Sequence, residues 1–233
     1  MGRRHFAMWL VPFLLLVGCS RTADCRSPAQ SEAAPGEYLG RKLAPPMGYE
    51  AADWLERPDR EATEKPDHVL DVLSLREGDT VADVGAGSGY FTERLAKRVG
   101  PKGRVIATDL QPEMLAMVSE KIRAKGLSNV ETILASESNA NLPPDAVDLV
   151  LMVDVYHELP QPAATLAQIK VALRKGGRLA LVEYRAEDPT VAIKEEHKMT
   201  LLQIRRELET SGFTIGSVDE SLPTQRVVIA SPK

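Results

Sequence analysis

The sequence predicts an α/β protein built on a doubly wound, mostly parallel, seven-stranded sheet whose last strand runs antiparallel to its neighbours. Three observations predict this fold. Short β-branched runs alternate with longer helix-forming segments between residues 80 and 230, which is typical of a parallel sheet covered by helices. A glycine-rich turn at residues 85–89 joins the first run to a helix. The last two runs, 213–218 and 225–230, are joined by a connection too short for a helix, which favours antiparallel pairing.

Two helices are predicted before the alternating region. Residues 49–56 form a candidate short helix, whose Trp54 and Leu55 would cap the domain. Residues 65–75 form the second, because their apolar side chains recur at helical spacing. Those side chains are Val69, Leu70, Val72 and Leu73.

The alternating region supplies five strands, with three helices between them. The strands are predicted at 80–84, 104–109, 130–134, 147–153 and 179–184. The helices are predicted at 90–99, from Pro112 onwards, where proline suits the first turn, and at 162–174. A further helix is predicted from the N-cap Thr200 to about Thr210, ending at Gly212. The two antiparallel strands follow it and complete the sheet.

The glycine turn after the first strand predicts a nucleoside-containing cofactor, because glycines bring bare backbone and a helix N-terminus close to a ligand. Dinucleotide sites need the pattern G-x-G-x-x-G. Here the third glycine, Gly89, comes one residue early, and Tyr90 stands where that pattern has glycine or alanine. The carboxylate of Asp83 would repel a pyrophosphate but would suit an ammonium group. These residues favour S-adenosylmethionine.

The run Asp83-x-Gly85-x-Gly87-x-Gly89 resembles the glycine motif of the class I S-adenosylmethionine-dependent methyltransferases. The resemblance continues through Asp109, residues 149–158 and Lys175-Gly-Gly-Arg178, and it covers roughly residues 67–230. It implies the Rossmann-like methyltransferase fold, S-adenosylmethionine as the cofactor and methyl transfer as the reaction.

The resemblance places Asp83 near the amino-acid part of the cofactor, although the same carboxylate can instead brace the glycine loop through backbone amides. The cradle would be formed by Gly85, Ala86, Gly87 and Gly89. Asp109 ends the second strand, where a carboxylate can accept strong hydrogen bonds from vicinal ribose hydroxyls. The alternative for Asp109 is an N-cap of the helix that begins at Pro112.

Contacts to the adenine are expected from residues after the second and third strands. Leu110 and Gln111 would lie beside the ring. Members of the family often carry an aspartate after the third strand, and alignment on Leu142-Pro143 puts Ser138 in that place. Glu137, which precedes it, is the candidate for binding the exocyclic amine.

The run Asp154-Val-Tyr-His-Glu158 follows the fourth strand, where the resemblance places the methyl group and the acceptor. A histidine and carboxylates there offer general-base chemistry, so the candidate catalytic residues are His157, Asp154, Glu158 and Glu183. Asp154 is also a candidate cofactor contact. The alternative is a structural Asp154–His157 pair beside a solvated Glu158.

A second polar cluster follows the fifth strand, and residues 186–196 are long enough to form a lid. Its cations can receive an anionic acceptor or neutralise neighbouring carboxylates, although a solvated charged loop is equally open. The candidate substrate contacts are Tyr156, Tyr184, Arg185, Lys194 and His197. Neither Asn-Pro-Pro-Tyr nor Asp-Pro-Pro-Tyr is present, so the methyltransferases of nucleic-acid base amines are not matched.

Charge and composition favour a small-molecule acceptor. The formal net charge is −4, and no basic run offers the phosphate neutralisation that nucleic-acid binding requires. Cysteine and histidine show no metal-binding spacing in the sequence, so no metal is expected.

The first residues resemble a secretory signal. Arg3 and Arg4 precede an apolar run at 7–17, which is too short to span a bilayer. Leu16-Val17-Gly18-Cys19 resembles the lipobox of bacterial lipoproteins, in which the cysteine is lipidated. The expected organisation is a signal peptide at 1–18, the lipidated Cys19 and a flexible tether at 19–46, and a methyltransferase domain at 47–233.

This organisation implies an exported protein anchored to a membrane by lipid, on the periplasmic side in a double-membraned bacterium, or a cytoplasmic one if the signal is not used. The leading interpretation is a methyltransferase with a small-molecule acceptor. A nicotinamide-dependent oxidoreductase is opposed by the glycine spacing. A non-catalytic lipoprotein that keeps the fold as a binding or scaffold module is the other alternative, because S-adenosylmethionine is made in the cytoplasm.

Overall fold

The computed structural model describes Met1–Gly2 and residues 36–233. Residues 3–35 are not among them. The expected signal segment, the lipidation site Cys19, the second cysteine Cys25 and the first part of the tether therefore lie outside the described residues.

The strands, in chain order, are β1 (Glu37–Tyr38), β2 (Arg41–Lys42), β3 (Thr80–Val84), β4 (Arg104–Asp109), β5 (Val130–Leu134), β6 (Val147–Val153), β7 (Leu173–Arg185), β8 (Lys198–Met199), β9 (Phe213–Asp219) and β10 (Gln225–Pro232). The helices are α1 (Arg60–Glu64), α2 (Pro66–Leu73), α3 (Tyr90–Val99), α4 (Pro112–Ala124), α5 (Pro162–Ala172) and α6 (Leu201–Thr210). Three 3₁₀ segments complete them, at Tyr49–Glu56, Tyr156–Glu158 and Glu195–His197. Among the described residues, no helix combines the length and the apolar character needed to cross a membrane.

The central sheet has the strand order β5-β4-β3-β6-β7-β10-β9, and the two-residue β8 pairs with β7. The pairs from β5 to β7 are parallel, whereas β10 runs antiparallel to both β7 and β9. This arrangement confirms the predicted fold, with the last strand of the chain inserted as the antiparallel member.

The position of the site follows from the strand order. The chain moves outwards in one direction from β3 through β4 and β5, and in the other through β6 and β7. Ligands of doubly wound sheets bind at this switch point, beyond the carboxyl ends of the strands. The segments that follow β3, β4 and β6 therefore border the expected binding crevice.

The core has two layers because side chains of a strand alternate between the faces of a sheet. On one face, Val81 of β3 packs in a cluster with Leu73 of α2 and Leu95 of α3. On the other face, Ala82 belongs to a cluster with Leu166 of α5 and with α6. Helices on both faces thus bury β3 completely and hold the glycine turn that follows it.

Residues 37–46 differ from the expected tether, because the structure packs them against the domain. The guanidinium of Arg41 donates two hydrogen bonds to the fully buried carboxylate of Glu207 in α6, at 2.8 and 3.0 Å. The amide of Ala44 donates to the carbonyl oxygen of His157. A buried carboxylate requires a partner, and Arg41 supplies it from outside the predicted domain boundary.

Two local features also differ from the sequence expectations. Helix α1 was not predicted, and α5 ends at Ala172, before the predicted end at residue 174. Strand β7 begins directly afterwards, because Leu173 pairs with Val147. The register then shifts so that Leu149 pairs with Arg178, and Lys175-Gly-Gly-Arg178, which precedes the strand predicted at 179–184, lies inside this long strand.

Candidate active site

A cavity of about 590 Å³ lies at the carboxyl ends of the central strands, within the range typical of small-molecule sites. Its lining comes from the glycine turn, the ends of β4 and β6, and segments far from them in the chain. The sequence-predicted residues that line it are Gly85, Gly87, Asp109, Leu110, Gln111, Glu137, Asp154, His157, Glu158, Tyr184, Lys194 and His197.

The glycine turn is closely enclosed by side chains. Gly85 and Gly87 have φ angles of +72° and +53°, a region that favours glycine. A Cβ on Gly85 would lie 2.5 Å from Val155 Cγ2, and one on Gly87 would lie 2.6 Å from Leu55 Cδ1. Both glycines line the cavity with bare backbone, and the contact with Val155 leaves no room for a side chain at Gly85. Next to them, Ala86 is buried in the core and Gly89 caps α3 without lining the cavity.

Asp109 holds the turn to the start of the next helix. Its Oδ2 accepts from the Gly87 amide and its Oδ1 from the Gln111 amide, each at 2.9 Å. Burial raises the pKa of this carboxyl, and the amide hydrogen bonds oppose the rise. Each oxygen retains a further lone pair, and the residue lines the cavity.

Asp83 lies behind the glycine turn rather than in the main cavity. It borders a separate cavity of about 30 Å³, which Leu55 and Arg60 also line. The Thr92 hydroxyl donates to Asp83 Oδ2 at 2.6 Å. Burial raises the pKa of Asp83 to about 6, although the Thr92 hydrogen bond lowers it in part. The structure thus brings Asp83 beneath the turn and not into contact with the larger space.

A roof over the cavity comes from residues 45–55, which sequence analysis did not include among the site residues. Pro45, Met47, Trp54 and Leu55 line the cavity. The side chain of Gln111 holds this roof, because its Nε2 donates to the Met47 carbonyl at 2.8 Å and its Oε1 accepts from the Tyr49 amide at 2.9 Å. The one sequence signal was the apolar Trp54-Leu55 pair in a short helix.

The end of the cavity opposite His157 is formed by residues that follow β4 and β5 in the chain. Leu110 and Met114 provide apolar surface, and Ser136 and Glu137 complete the edge. Ser138 is not among the lining residues, which corrects the expectation for this position. A tight turn accounts for this, because the amide of Ser136 donates to the Asn139 carbonyl and the amide of Asn139 to the Ser136 carbonyl.

His157 is 1% exposed and is held by a buried carboxylate. Its Nδ1 hydrogen-bonds to Glu183 Oε2 at 2.6 Å, and its Nε2 lies 3.0 Å from His197 Nδ1. In the neutral ring, an Nδ1 that donates to Glu183 leaves the lone pair on Nε2. Burial lowers the pKa of His157, but the charge and hydrogen bond of Glu183 raise it by more. The suggested Asp154–His157 pair is therefore incorrect, since Glu183 is the partner. Glu183 is fully buried and does not line the cavity.

Glu158 and His197 complete this cluster. Glu158 Oε1 lies 3.4 Å from His197 Nδ1 and 3.8 Å from His157 Nε2, and Glu158 Oε2 accepts from the Met47 amide at 3.3 Å. Burial raises the pKa of Glu158 to about 7, against the opposing charge of His157. Burial and the neighbouring His157 lower the pKa of His197. Forty residues separate the two histidines, so sequence spacing did not reveal the group.

Asp154 and Tyr184 form a second polar group in the wall. Asp154 has a φ of +55°, and the Gln225 amide donates to both of its carboxylate oxygens, at 2.9 and 2.7 Å. The Tyr184 hydroxyl donates to Glu64 at 2.8 Å. Burial and the nearby carboxylate of Glu64 raise the pKa of Asp154.

Two residues expected at the substrate lie elsewhere. Tyr156 is fully buried in the core and does not line the cavity. Arg185 donates instead to the carbonyl oxygens of Leu222 and Gln225, at 2.8 and 3.0 Å, and so braces the connection before β10. Of the expected lid, Ala192, Ile193 and Lys194 line the cavity.

Comparison with known proteins gives consistent matches. Residues 75–219 match the family described as a methyltransferase domain. The chain is 32% identical to a SAM dependent methyltransferase from Aquifex aeolicus whose crystal structure superimposes with a TM-score of 0.75, covering 79% of this chain and 98% of that one.

Two curated relatives match a shorter region. A protein-L-isoaspartate O-methyltransferase from Ignicoccus hospitalis is 34% identical over 105 residues, 45% of this chain and 48% of the relative. A ubiquinone/menaquinone biosynthesis C-methyltransferase from Enterobacter sp. is 30% identical over 116 residues, 49% of this chain and 46% of the relative. The match thus spans about half the length of these curated relatives.

Proposed function

This chain belongs to the methyltransferase-domain family, and we propose that it transfers the methyl group of S-adenosylmethionine to a small-molecule acceptor. The observation that carries the proposal is that the glycine turn and Asp109 line the same cavity as His157 and Glu158. Such a cavity can hold a donor at one end and an acceptor at the other.

The residues present fit S-adenosylmethionine, the cofactor that the family implies. Gly85 and Gly87 line the cavity without side chains, so an extended ligand can lie against the turn. We assign Asp109 to the ribose hydroxyls, Leu110 to the adenine face and Glu137 to the adenine amine. Asp83 would support the turn from behind, and Asp154 would face the amino-acid part of the donor. The bound cofactor supplies a methyl group already activated by a sulfonium.

The acceptor end is assigned to His157, Glu158 and the residues around them. Glu183 fixes the ring of His157 so that Nε2 points towards His197 and Glu158, which groups these polar side chains at the end of the cavity assigned to the acceptor. Lys194 is exposed at the cavity rim and suits an acceptor that carries negative charge. Because methyl transfer depends mainly on alignment and the exclusion of water, the roof at 45–55 serves the reaction by covering the cavity.

The donor assignment is tested by calorimetric titration of the full chain in detergent with S-adenosylmethionine, S-adenosylhomocysteine and NAD. We expect micromolar binding of the first two and none of NAD. Asp109→Ala should weaken S-adenosylmethionine binding by at least about tenfold, because charge-assisted hydrogen bonds to the ribose are lost. The matched control is Asp67→Ala, whose carboxylate is 81% exposed on α2. Equal affinities of the Asp109 variant and the wild type would remove the ribose role, and binding of NAD alone would overturn the proposal.

We also propose that Cys19 is lipidated and that residues 20–35 connect it to the domain. The sequence Leu16-Val17-Gly18-Cys19 supports this. Mass spectrometry of the full chain purified from bacterial membranes should find an acylated N-terminal Cys19, and Cys19→Ser should lose both the lipid and membrane retention. An intact Met1 on the wild-type protein would contradict the assignment.

A further inference from the structure

We propose that His157, Glu158 and His197 form a binding site for a divalent transition-metal ion at the acceptor end of the cavity. The three donor atoms form a compact triangle. His157 Nε2 lies 3.0 Å from His197 Nδ1, and Glu158 Oε1 lies 3.4 Å and 3.8 Å from these two nitrogens. Metal–ligand bonds of about 2.0–2.1 Å at tetrahedral angles put neighbouring donors about 3.3 Å apart, so one ion can contact all three with small movements.

The surroundings of His157 match those of a metal ligand. Histidines that bind metals usually donate their second ring nitrogen to a carboxylate, which fixes the tautomer and the ring orientation. Here Nδ1 of His157 donates to the fully buried Glu183 at 2.6 Å. In the neutral ring this places the lone pair on Nε2, the atom in the triangle.

Glu158 is also held in place for this role. The Met47 amide donates to its Oε2 at 3.3 Å, which leaves Oε1 for the ion. All three residues line the cavity, so an ion that they held would border the space assigned to the acceptor. Of the three, His197 is the most exposed ligand, with 23% of its side chain accessible, and it directly follows the expected lid segment at 186–196.

The donor set identifies the class of metal. Two imidazole nitrogens and one carboxylate oxygen suit zinc, iron(II), cobalt(II) or manganese(II), whereas calcium and magnesium prefer oxygen ligands. Three protein ligands leave at least one position open. Resting on the proposed function, we infer that this position receives an oxygen atom of the acceptor, so that the acceptor is a hydroxyl or oxyacid compound.

The test uses the full chain purified without a polyhistidine tag, with His5, Cys19 and Cys25 replaced by alanine, and stripped of metal by a chelator. Titration with Zn²⁺, and with Co²⁺ followed by its visible absorption, should show one tightly bound ion per chain. His197→Ala and Glu158→Gln should each weaken binding by more than about 100-fold, and Glu183→Gln by about tenfold, since partners of metal ligands usually contribute 10–100-fold.

The matched control is the His68→Ala variant. His68 has 42% of its side chain exposed and hydrogen-bonds to Ser221, so this variant should bind the ion as tightly as the parent does. Calorimetric titration with S-adenosylmethionine on the same variants separates this proposal from the proposed function, because donor binding should survive the loss of His197. The proposal is overturned if the parent binds no ion at micromolar concentration, or if all variants bind it equally. His157 and His197 would then be a hydrogen-bonded pair beside Glu158, without a metal.

Discussion

At the scale of single residues, Asp83 shows how a buried carboxyl beneath the cofactor turn bears on stability. Its side chain is buried, with the Thr92 hydroxyl as its hydrogen-bond donor, and burial raises its pKa from 3.8 to about 6. The folded state therefore keeps its proton to higher pH than the unfolded chain does. The stability contributed by the protonated form is fully present below about pH 4 and is lost as pH rises through 6.

We expect Asp83→Asn to stabilise the ligand-free protein at pH 7. The amide keeps an oxygen for the Thr92 hydroxyl and cannot ionise, so the free energy of unfolding should rise by up to about 3 kcal/mol, the equivalent of the two-unit rise in pKa. Urea unfolding at pH 4 and pH 7 measures this, and the gain should shrink towards pH 4. The exposed Asp67→Asn serves as the control. A gain of the same size at both pH values would contradict the assignment to ionisation.

Gly85 shows how one missing side chain shapes the site. Two factors destabilise Gly85→Ala: the φ of +72°, which disfavours a side chain, and the 2.5 Å distance between the added Cβ and Val155 Cγ2. The control separates them, because Gly126 has a φ of +64° with open space around it. Gly126→Ala should cost only the left-handed backbone strain, about 1–2 kcal/mol. Gly85→Ala should cost more and should also weaken S-adenosylmethionine binding by at least tenfold, by displacing the turn.

Chemical denaturation and calorimetry of both variants test this prediction. Adding Val155→Ala to Gly85→Ala should restore part of the stability and affinity, since it removes the colliding methyl groups. Identical losses in the Gly85 and Gly126 variants would mean that the crowding at Val155 has no effect.

At the scale of elements, the hairpin of β1 and β2 is joined to α6 by one ion pair. Arg41 and Glu207 are 10% and 0% exposed at their side chains, and Arg41 also donates to the His157 carbonyl at 3.0 Å. The hairpin therefore links α6 to the 3₁₀ segment that carries His157. This link helps to pack residues 37–46 against the domain, where composition predicted a flexible tether.

We expect Arg41→Met to lower the free energy of unfolding by about 3–5 kcal/mol, because it leaves the Glu207 carboxylate buried without its cation. Glu207→Met should also destabilise the chain, but the double variant should lose clearly less than the sum of the two. Urea unfolding of the four proteins gives the coupling energy. Additive losses would show that the two side chains stabilise the fold independently.

At the scale of the whole molecule, sequence patterns predicted the elements and their order but missed contacts between residues that are distant in the chain and that the sheet brings together. The run Thr80–Val84, the glycine turn and α3 follow from neighbouring residues, and the parallel order with an antiparallel last strand follows from connection lengths. The partner of His157 did not follow. Asp154 is three residues away, but Glu183 reaches it because β6 and β7 are adjacent.

The roof and the His197 contact lay beyond sequence reasoning for the same reason. Met47 and His197 approach Glu158 from segments that lie 111 and about 40 residues away in the chain. Such approaches depend on the complete strand order and on how the connecting segments pack over it. No spacing rule encodes them, whereas residues placed directly after a strand could be assigned to the cavity from the fold alone.

A cavity assembled from distant segments should tighten as one unit when the donor binds. The Met47 and Tyr49 amides donate to Glu158 and Gln111 across the cavity wall, so a ligand beneath them favours the closed arrangement. We expect S-adenosylhomocysteine to slow hydrogen exchange in residues 45–56 as well as in the glycine turn, since ligand binding stabilises closed states over local openings. Helix α5, which lines the cavity only at Thr165, provides the internal control. Mass spectrometry of exchanged peptides measures all three regions in one experiment.

Gln111→Ala, which removes the side-chain hydrogen bonds to the roof, should abolish most of the added protection at 45–56 and leave the protection of the glycine turn. Protection confined to the turn in the unmodified chain would mean that the roof does not close over the bound cofactor.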